Sequence, residues 1–196
     1  MTGKRIFDLV FSMIGLIVLM PIFIMIAVWI KLDSPGPIFF RQVRIGRFGK
    51  PFRIFKFRTM VVDAESKGHQ ITTGEDPRIT KLGRFLRHYK LDEFPQLLNV
   101  FIGDMSIVGP RPEVSKYVEM FNDQYRDVLT LKPGITDYGS IEFRDEESIL
   151  KQYANPEEGY IKEILPKKIE LYKKYLRERS LKTDIKIIFF TLKKIM

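Results

Sequence analysis

The sequence predicts an α+β protein in which an N-terminal membrane helix is followed by a small β-hairpin and surrounding amphipathic helices. Residues 9–30 carry no charge and are long enough to cross a bilayer core of roughly 30 Å. Residues 38–58 hold two short runs rich in aromatic and β-branched residues on either side of a glycine-containing turn, which indicates a hairpin. Much of the remaining chain repeats apolar residues at helical spacing.

Composition restricts the partners of this chain. It has 196 residues, a formal net charge of +9 and no cysteine. The length suits one domain with an appendage. The absence of cysteine excludes disulfides and cysteine-based zinc sites. The basic surplus indicates an anionic partner, which would be nucleic acid, a phosphate-bearing small molecule or the anionic face of a membrane.

The charge-free segment ends without the small residues of a cleavage site, which disfavours a signal peptide. Two geometries stay open. A plain spanning helix fits the length, and proline kinks occur in such helices. A re-entrant helix that is broken at Pro21 and returns to its starting side fits two further observations. Pro21 removes a backbone donor, and positive charge stands at both ends of the segment, at Lys4, Arg5 and Lys31.

The predicted hairpin consists of strands at residues 38–44 and 52–58, joined by a turn at residues 46–51. It contains no acidic residue, and Lys56 and Arg58 share one face of its second strand. One interpretation is a solvated basic hairpin that lies on lipid headgroups. The other places one or two of these cations on a bound phosphate.

A polar stretch at residues 63–83 predicts a loop. Its His69 has no matching histidine or cysteine cluster and is interpreted as an exposed loop residue rather than a metal ligand. Helices are predicted at residues 80–89, 117–131, 145–153, 166–179 and 181–196, and a strand within residues 135–143. In the first helix, Leu82, Phe85 and Leu86 are predicted to point inward.

The last helix has an apolar face with lysines beside it, which is typical of a helix in a membrane interface. A tail helix packed on the domain core would have the same face, so both interpretations stay open. The face consists of Leu181, Ile185, Ile188, Phe189 and Leu192, and the lysines are Lys182, Lys186, Lys193 and Lys194.

An acidic pair, Asp92 and Glu93, stands directly before a further predicted helix. One interpretation is capping, since Asp is a preferred N-cap, Glu suits a first turn and Pro95 is tolerated there. The buried stripe of that helix would be Leu97, Leu98, Phe101 and Ile102. The other interpretation is chemical. Adjacent carboxylates can approach one Mg²⁺, and an aspartate can attack phosphorus as a nucleophile.

Arg111 lies between Pro110 and Pro112. The two prolines restrict the backbone and would pre-position the guanidinium for bidentate contact with a phosphate. The alternative is a turn with a solvent-facing arginine.

Four stretches together carry a family resemblance. They are the apolar segment interrupted by proline, RIFKFRTM at residues 53–60, KLDEFPQLLNVFIGDMSIVGPRP at residues 90–112, and LKPGIT at residues 131–136. Over roughly residues 5–136 the chain resembles the monotopic phosphoglycosyl transferases, the bacterial sugar-transferase family. The third stretch is too long and too ordered to match by chance.

The resemblance implies transfer of a sugar-1-phosphate from a nucleotide diphosphate sugar, usually a UDP-sugar, to polyprenyl phosphate, with release of a nucleoside monophosphate. Asp92 would attack the phosphorus that bears the sugar and form a covalent phosphosugar intermediate. Glu93 would be its dyad partner, and the cofactor Mg²⁺ would be held at these carboxylates. Lys56, Arg87 and Arg111 fall on family positions expected near phosphate or metal.

The resemblance also implies a place in the cell. Residues 1–33 would form a re-entrant anchor, residues 34–180 a catalytic domain on the cytoplasmic face of the bacterial inner membrane, and residues 181–196 the interfacial helix. The chain would be a minimal catalytic unit, a monotopic protein without an N-terminal extension. Its partners would be the nucleotide sugar, polyprenyl phosphate and the lipid bilayer, with no nucleic acid; an oligomer is compatible with the resemblance.

The chain departs from the family pattern in two places. Met20 precedes Pro21 where the family often has Ser-Pro. Residues 137–147 read DYGSIEFRDEE, where many members continue with a Gly-Trp-Ala-Gln-Val-Asn-Gly-Arg type of segment. The second departure predicts a different specificity for the nucleotide or the sugar.

Two other functions remain as alternatives. A membrane-tethered nucleic-acid-binding protein without catalysis would use the basic, aromatic hairpin, but it leaves Asp92, Glu93 and Arg111 unexplained. A non-catalytic membrane scaffold predicts that Asp92 can be neutralised without loss of function.

Overall fold

The computed structural model describes residues 2–64 and 76–195, where helices surround three two-stranded sheets. His69 lies outside the described residues. The helices are α1 (Thr2–Asp33), α2 (Lys81–His88), α3 (Gln96–Ile102), α4 (Ser115–Met120), α5 (Asn122–Val128), α6 (Tyr138–Glu142), α7 (Glu146–Leu150), α8 (Pro156–Gly159), α9 (Leu165–Glu178) and α10 (Leu181–Ile195). The strands are β1 (Phe39–Phe40), β2 (Val43–Ile45), β3 (Pro51–Arg53), β4 (Lys56–Phe57), β5 (Ser106–Val108) and β6 (Gly134–Thr136). The predicted mixture of helices and a small hairpin is confirmed.

Helix α1 is long and apolar enough to cross a membrane, and it is the one such helix in the described part of the chain. Its most apolar stretch has a mean hydropathy of 2.8, and only 11% of the residues in that stretch are buried. The predicted break at Pro21 does not end the helix, which continues from Thr2 to Asp33. A single proline removes one donor, and the hydrogen bonds of the neighbouring turns can carry a helix past it. The re-entrant path stays a prediction.

Both ends of α1 pack on the same domain. Near the start, Lys4 Nζ donates to the Val108 carbonyl at 3.1 Å and to Asp184 Oδ2 at 2.6 Å. Near the end, Ile26 and Ile30 are buried against side chains of α2 and β4. The helix is therefore part of the domain's core, while its middle is largely exposed.

The predicted hairpin is confirmed as two short antiparallel pairs, β1 with β4 and β2 with β3, which share one register. Between the two pairs, the side chain of Asn99 in α3 hydrogen-bonds the backbone that connects β3 to β4. Its Oδ1 accepts from the Phe55 amide at 2.8 Å, and its Nδ2 donates to the Arg53 carbonyl at 2.9 Å. Helix α3 thereby fixes the backbone on both sides of residue 54 and places the adjacent Lys56.

Two predicted inward faces are wrong in part. In α2, Leu82 and Leu86 are buried as predicted, but Phe85 is 45% exposed and its ring stands near the exposed ring of Trp29. In α3, Phe101 and Ile102 are exposed. Because α3 docks on the hairpin through polar Asn99, its buried face is Gln96, Asn99 and Val100, which an apolar periodicity does not reveal.

The pair β5 and β6 is parallel, so the carboxyl ends of both strands meet at one edge. The GPRP loop follows β5 and is held by the LKPGIT segment. The Gly109 amide donates to the Thr136 carbonyl at 3.0 Å, and the Gly134 amide donates to the Pro110 carbonyl at 2.9 Å. A side chain on Gly109 would clash with the Lys132 carbonyl, and a side chain on Gly134 would clash with the backbone of Gly109, which explains why the two motifs need glycine here.

The other predicted elements are found with changed bounds. The helix predicted at residues 117–131 divides into α4 and α5 at Phe121, whose φ of −115° and ψ of 31° are not helical. The predicted strand within residues 135–143 is β6, and helix α6 follows it instead of more strand. The helices predicted at residues 166–179 and 181–196 are found as α9 and α10.

Helix α10 has one buried and one exposed face. Asp184 and Ile187 are buried, whereas Ile185, Phe189 and Leu192 are all more than half exposed. A tail helix packed by its apolar face would hide these side chains. The exposed apolar stripe therefore favours the interfacial interpretation.

Candidate active site

The hairpin, the turn Leu91–Glu93, the GPRP loop and the chain from β6 to α7 surround a cavity of about 310 Å³. Eight lysine or arginine residues and five carboxylates line it. All five predicted site residues are among them, although they come from four separate segments of the chain. These residues are Lys56, Arg87, Asp92, Glu93 and Arg111.

Asp92 lies in the 3-10 turn Leu91–Glu93, which begins after Lys90 in the left-handed conformation. Its side chain is 7% exposed, and within the described residues its Oδ1 has no hydrogen-bond partner. The capping interpretation is wrong, because α3 begins only at Gln96 and Pro95 at its N-cap makes no side-chain hydrogen bond. The carboxylate is therefore left for another purpose.

Burial raises the pKa of Asp92 from 3.8 to about 6, because the charged form loses water. The nearby Lys56 opposes this shift and the adjacent Glu93 adds to it. The carboxylate is ionised at neutral pH but poorly solvated, which suits a nucleophile.

Glu93 has the opposite environment, since both of its oxygens are bound by cations. Lys56 Nζ donates to Oε1 at 2.7 Å, and the Arg111 guanidinium donates to Oε1 at 2.5 Å and to Oε2 at 3.0 Å. Burial alone would raise the pKa of Glu93, but Arg111 and Lys56 hold it well below its usual value. Arg111 uses its fork bidentately, so the solvent-facing interpretation of this arginine is wrong.

Arg87 reaches the cavity from the last turn of α2. Its Nη2 lies 3.2 Å from Glu147 Oε1, while its buried Nη1 has no partner among the residues the structure describes. The cavity thus contains an unsatisfied acceptor on Asp92 and an unsatisfied donor on Arg87. Buried polar groups are rarely left this way, so the pair points to a ligand.

Sequence reasoning missed a second group of charged cavity residues. The Tyr160 hydroxyl donates to Glu113 Oε1 at 2.6 Å, and Arg44 Nη1 lies 3.7 Å from Glu113 Oε2. Lys168, only 4% exposed, forms an ion pair with Glu146. Glu113 directly follows GPRP, which was a usable signal. Tyr160 and Lys168 are brought in by α9 and the turn before it, and no local pattern marks them.

The variant segment at residues 137–147 forms part of the cavity wall. Asp137 begins α6 by accepting from the amides of Gly139 and Ser140, and burial raises its pKa. Farther along, the guanidinium of Arg144 donates to the carbonyl of Lys194 in α10. The departure from the family pattern therefore lies where a substrate would be in contact with it.

A metal would find few ligands here. Within residues 2–64 and 76–195, no group of three or more histidine, cysteine or carboxylate side chains is arranged to hold an ion. Asp92 Oδ1 fits, because it is an unpaired oxygen of the type that Mg²⁺ prefers. Glu93 fits less well, because Lys56 and Arg111 occupy both of its oxygens.

The model of the bacterial sugar transferase family matches residues 1–196. The chain belongs to this family. Its individual relatives include proteins much longer than this chain and one of similar length.

Three relatives illustrate this. UDP-glucose:undecaprenyl-phosphate glucose-1-phosphate transferase of Escherichia coli (strain K12) is 40% identical over 196 residues, covering 96% of this chain and 39% of that protein. UDP-N-acetylgalactosamine-undecaprenyl-phosphate N-acetylgalactosaminephosphotransferase of Aeromonas hydrophila is 34% identical over 198 residues, covering 98% of this chain and 43% of that protein. An uncharacterized sugar transferase, EpsL, of Bacillus subtilis (strain 168) is 36% identical over 193 residues, covering 98% and 87%. The chain thus spans about two fifths of the length of the first two.

Proposed function

We propose that this chain transfers a sugar-1-phosphate from a UDP-sugar to polyprenyl phosphate, the first membrane step of glycoconjugate assembly. The observation that carries the proposal is Asp92, whose buried oxygen lacks a partner in a cavity lined by eight cationic residues. The names of the Escherichia coli and Aeromonas hydrophila relatives support the classes of donor and acceptor. Because those two act on different sugars, the proposal names a class of sugar donor and not one sugar.

In the first half-reaction, an Asp92 oxygen attacks the phosphorus that bears the sugar. The bond from this phosphorus to the oxygen of the nucleoside monophosphate breaks, and the electron pair leaves with that oxygen. The product is an aspartyl-phosphosugar. Lys56, Arg87 and Arg111 line the same cavity and would stabilise the charge that spreads over the phosphoryl oxygens.

In the second half-reaction, a phosphate oxygen of the lipid attacks the same phosphorus. The bond to Asp92 breaks, its carboxylate is restored, and polyprenyl-diphosphate-sugar is formed. No proton needs to be removed, because the attacking phosphate oxygen is already anionic. Glu93 contributes by holding Lys56 and Arg111 in fixed positions through its two oxygens.

We include Mg²⁺ as the cofactor of this reaction. Asp92 would hold it, whereas Glu93 can serve as a second ligand only by giving up a contact to Lys56 or Arg111. When bound, Mg²⁺ would offset the negative charge of the diphosphate. The chain's own contribution is the placement of Asp92 and of the cations around it.

The proposed location is the cytoplasmic face of the bacterial inner membrane, with α1 as a re-entrant anchor. Lys4 at one end of α1 and Ile30 at the other both contact the same domain. A helix that crossed the bilayer would have to leave one of these contacts on the far side. The packing therefore supports entry and exit on one face.

The test is a transfer assay with membranes that contain the protein, labelled UDP-sugars and polyprenyl phosphate. We expect label in the lipid fraction for at least one UDP-sugar and no transfer by Asp92→Asn. Asp123→Asn is the matched control, because Asp123 is exposed and does not line the cavity. Transfer that survives Asp92→Asn would refute the nucleophile. A donor panel without any transfer would refute the function.

The nucleic-acid alternative receives less support than the composition of the hairpin suggested. Lys56 is bound to Glu93, and buried Arg58 donates to the carbonyls of Ser34 and Pro35. These two cations are used inside the molecule and are not presented to an external polyanion.

A further inference from the structure

We propose that Lys194 of α10 forms a binding subsite for the phosphate of the lipid acceptor. This inference deepens the proposed function and rests on it. It concerns the one wall of the cavity that comes from the last helix, which contributes Thr191 and Lys194. This wall is separate from the acidic pair, Asp92 and Glu93, and from the proline-flanked Arg111.

The end of α10 is fixed against the cavity by two contacts. Thr191 Oγ1 lies 2.6 Å from Oγ1 of Thr136, the last residue of β6. One turn later, Arg144 of the variant segment donates to the carbonyl of Lys194. Because both contacts are to residues that also line the cavity, Lys194 belongs to the wall and is not a loose end of the chain.

Most cations of the cavity already have a carboxylate partner. Glu93 pairs with Lys56 and Arg111, and Glu147 pairs with Arg87. In the described part of the chain, no carboxylate lies within ion-pair distance of Lys194, and the same is true of Lys90, two residues before Asp92. An unpaired ammonium can receive a phosphate without first breaking an ion pair.

The position of α10 assigns Lys194 to the acceptor and not to the donor. The helix carries the exposed apolar stripe of Ile185, Phe189 and Leu192, and Asp184 ties its first turn to Lys4 of α1. A lipid phosphate can approach only at the depth of the membrane surface, where an amphipathic helix lies. A cavity wall built by such a helix is the one that the acceptor's headgroup meets.

Lys193 offers a matched control. It has the same charge, lies next to Lys194 on the same helix and is exposed as Lys194 is, but it does not line the cavity. If the two lysines only attracted α10 to anionic lipid, Lys193→Met and Lys194→Met would weaken vesicle binding equally. Only a phosphate subsite in the cavity distinguishes the two.

The experiment measures the two half-reactions separately in vesicles of fixed composition. For Lys194→Met we expect about a tenfold rise in KM for polyprenyl phosphate, the scale of one charge-assisted contact. The burst of nucleoside monophosphate without acceptor, the KM for the UDP-sugar and vesicle binding should match those of Lys193→Met.

Each other outcome decides against the inference in its own way. An unchanged acceptor KM in Lys194→Met, or an equal rise in both variants, overturns the subsite. A rise in the donor KM with an unchanged acceptor KM assigns Lys194 to the other substrate. If the unaltered protein transfers no label from any UDP-sugar to polyprenyl phosphate, the proposed function itself fails, and the inference fails with it.

Discussion

Three buried side-chain atoms of residues that line the cavity, Asp92 Oδ1, Arg87 Nη1 and Arg44 Nε, lack partners within the described residues. Leaving such a group unsatisfied costs roughly 1–3 kcal/mol of folding free energy. Evolution retains such groups where a ligand completes them, so stability and function oppose each other at these residues. The raised pKa of Asp92 allows this opposition to be measured.

Asp92→Asn should abolish transfer and also stabilise the fold at neutral pH in metal-free buffer. The folded pKa of about 6 lies above the ordinary 3.8, so the ionised side chain costs the wild type about 3 kcal/mol at high pH. The contribution of Asp92 to the free energy of unfolding is fully present below about pH 4 and is lost as the pH rises through about 6. Denaturant unfolding at several pH values checks this.

The gain should therefore shrink as the pH falls and disappear below about pH 4, where the aspartate becomes protonated in the unfolded state as well as in the folded state. Asp123→Asn is the matched control for these measurements, because Asp123 is 90% exposed. An Asp92→Asn protein that is less stable than the wild type at neutral pH would contradict the account of Asp92 as a strained carboxylate.

Arg111→Lys should slow turnover by about one to two orders of magnitude, although the charge is kept. Arg111 contacts both oxygens of Glu93 through its fork, and lysine has one ammonium that cannot do the same. The loss of one charge-assisted contact corresponds to about 1.5–3 kcal/mol. Steady-state kinetics with the preferred UDP-sugar measure it. Arg126→Lys is the control and should leave turnover unchanged, because Arg126 forms an exposed ion pair with Asp123. Wild-type kinetics in Arg111→Lys would reduce Arg111 to a structural role.

At the scale of elements, α1 decides the topology. Its first turn is attached to the domain by Lys4 and by Arg5, whose Nη1 donates to the Val100 carbonyl at 2.6 Å. These contacts keep the N-terminal end on the side of the cavity. Charge acts in the same direction, because basic residues are retained in the cytoplasm.

Gly3→Cys should react with an impermeant thiol reagent only after cells are lysed. A side chain at Gly3 would meet nothing within 4 Å, and the native chain has no cysteine to add background. Lys4→Gln together with Arg5→Gln removes both the docking contacts and the charge. This double variant should allow some labelling in intact cells. Labelling of Gly3→Cys in intact cells with Lys4 and Arg5 present would instead mean that α1 spans the membrane.

At the scale of the whole molecule, the anchor and the domain share a core. Ile26 and Ile30 are 4% and 2% exposed and belong to one cluster with Phe57 and Leu86. Asp8, 2% exposed, accepts from the Ser106 hydroxyl at 3.0 Å. We therefore expect cooperative unfolding of both parts rather than a detachable tail.

Ile30→Ala should destabilise the whole protein by about 2–5 kcal/mol, the usual cost of emptying a packed core position. Ile17→Ala in the same helix should cost little, because Ile17 is 62% exposed. Thermal unfolding in detergent can be followed by circular dichroism and by the single tryptophan, Trp29, near Phe85. Separate transitions of the two signals would show that α1 melts independently.

The sequence predicted those features that depend only on residues close together in the chain. The charge-free segment, the hairpin and the helix at the C-terminal end follow from composition and from the spacing of apolar residues, which neighbouring positions determine. Predictions failed where another element decided the environment. Asn99 turned the inner face of α3 toward the hairpin, and Phe85 was left beside Trp29 instead of in the core.

By itself, the sequence determined the long apolar helix at the N-terminal end, the mixed fold, the family and the five residues expected at the site. Only the tertiary structure decided what those residues do to one another. It brought Arg111 across 18 positions to Glu93, left Asp92 without a partner, and carried Lys168 and Lys194 to the same cavity. The physical reason is that burial and charge pairing depend on distances between segments far apart in the chain, which no local pattern records.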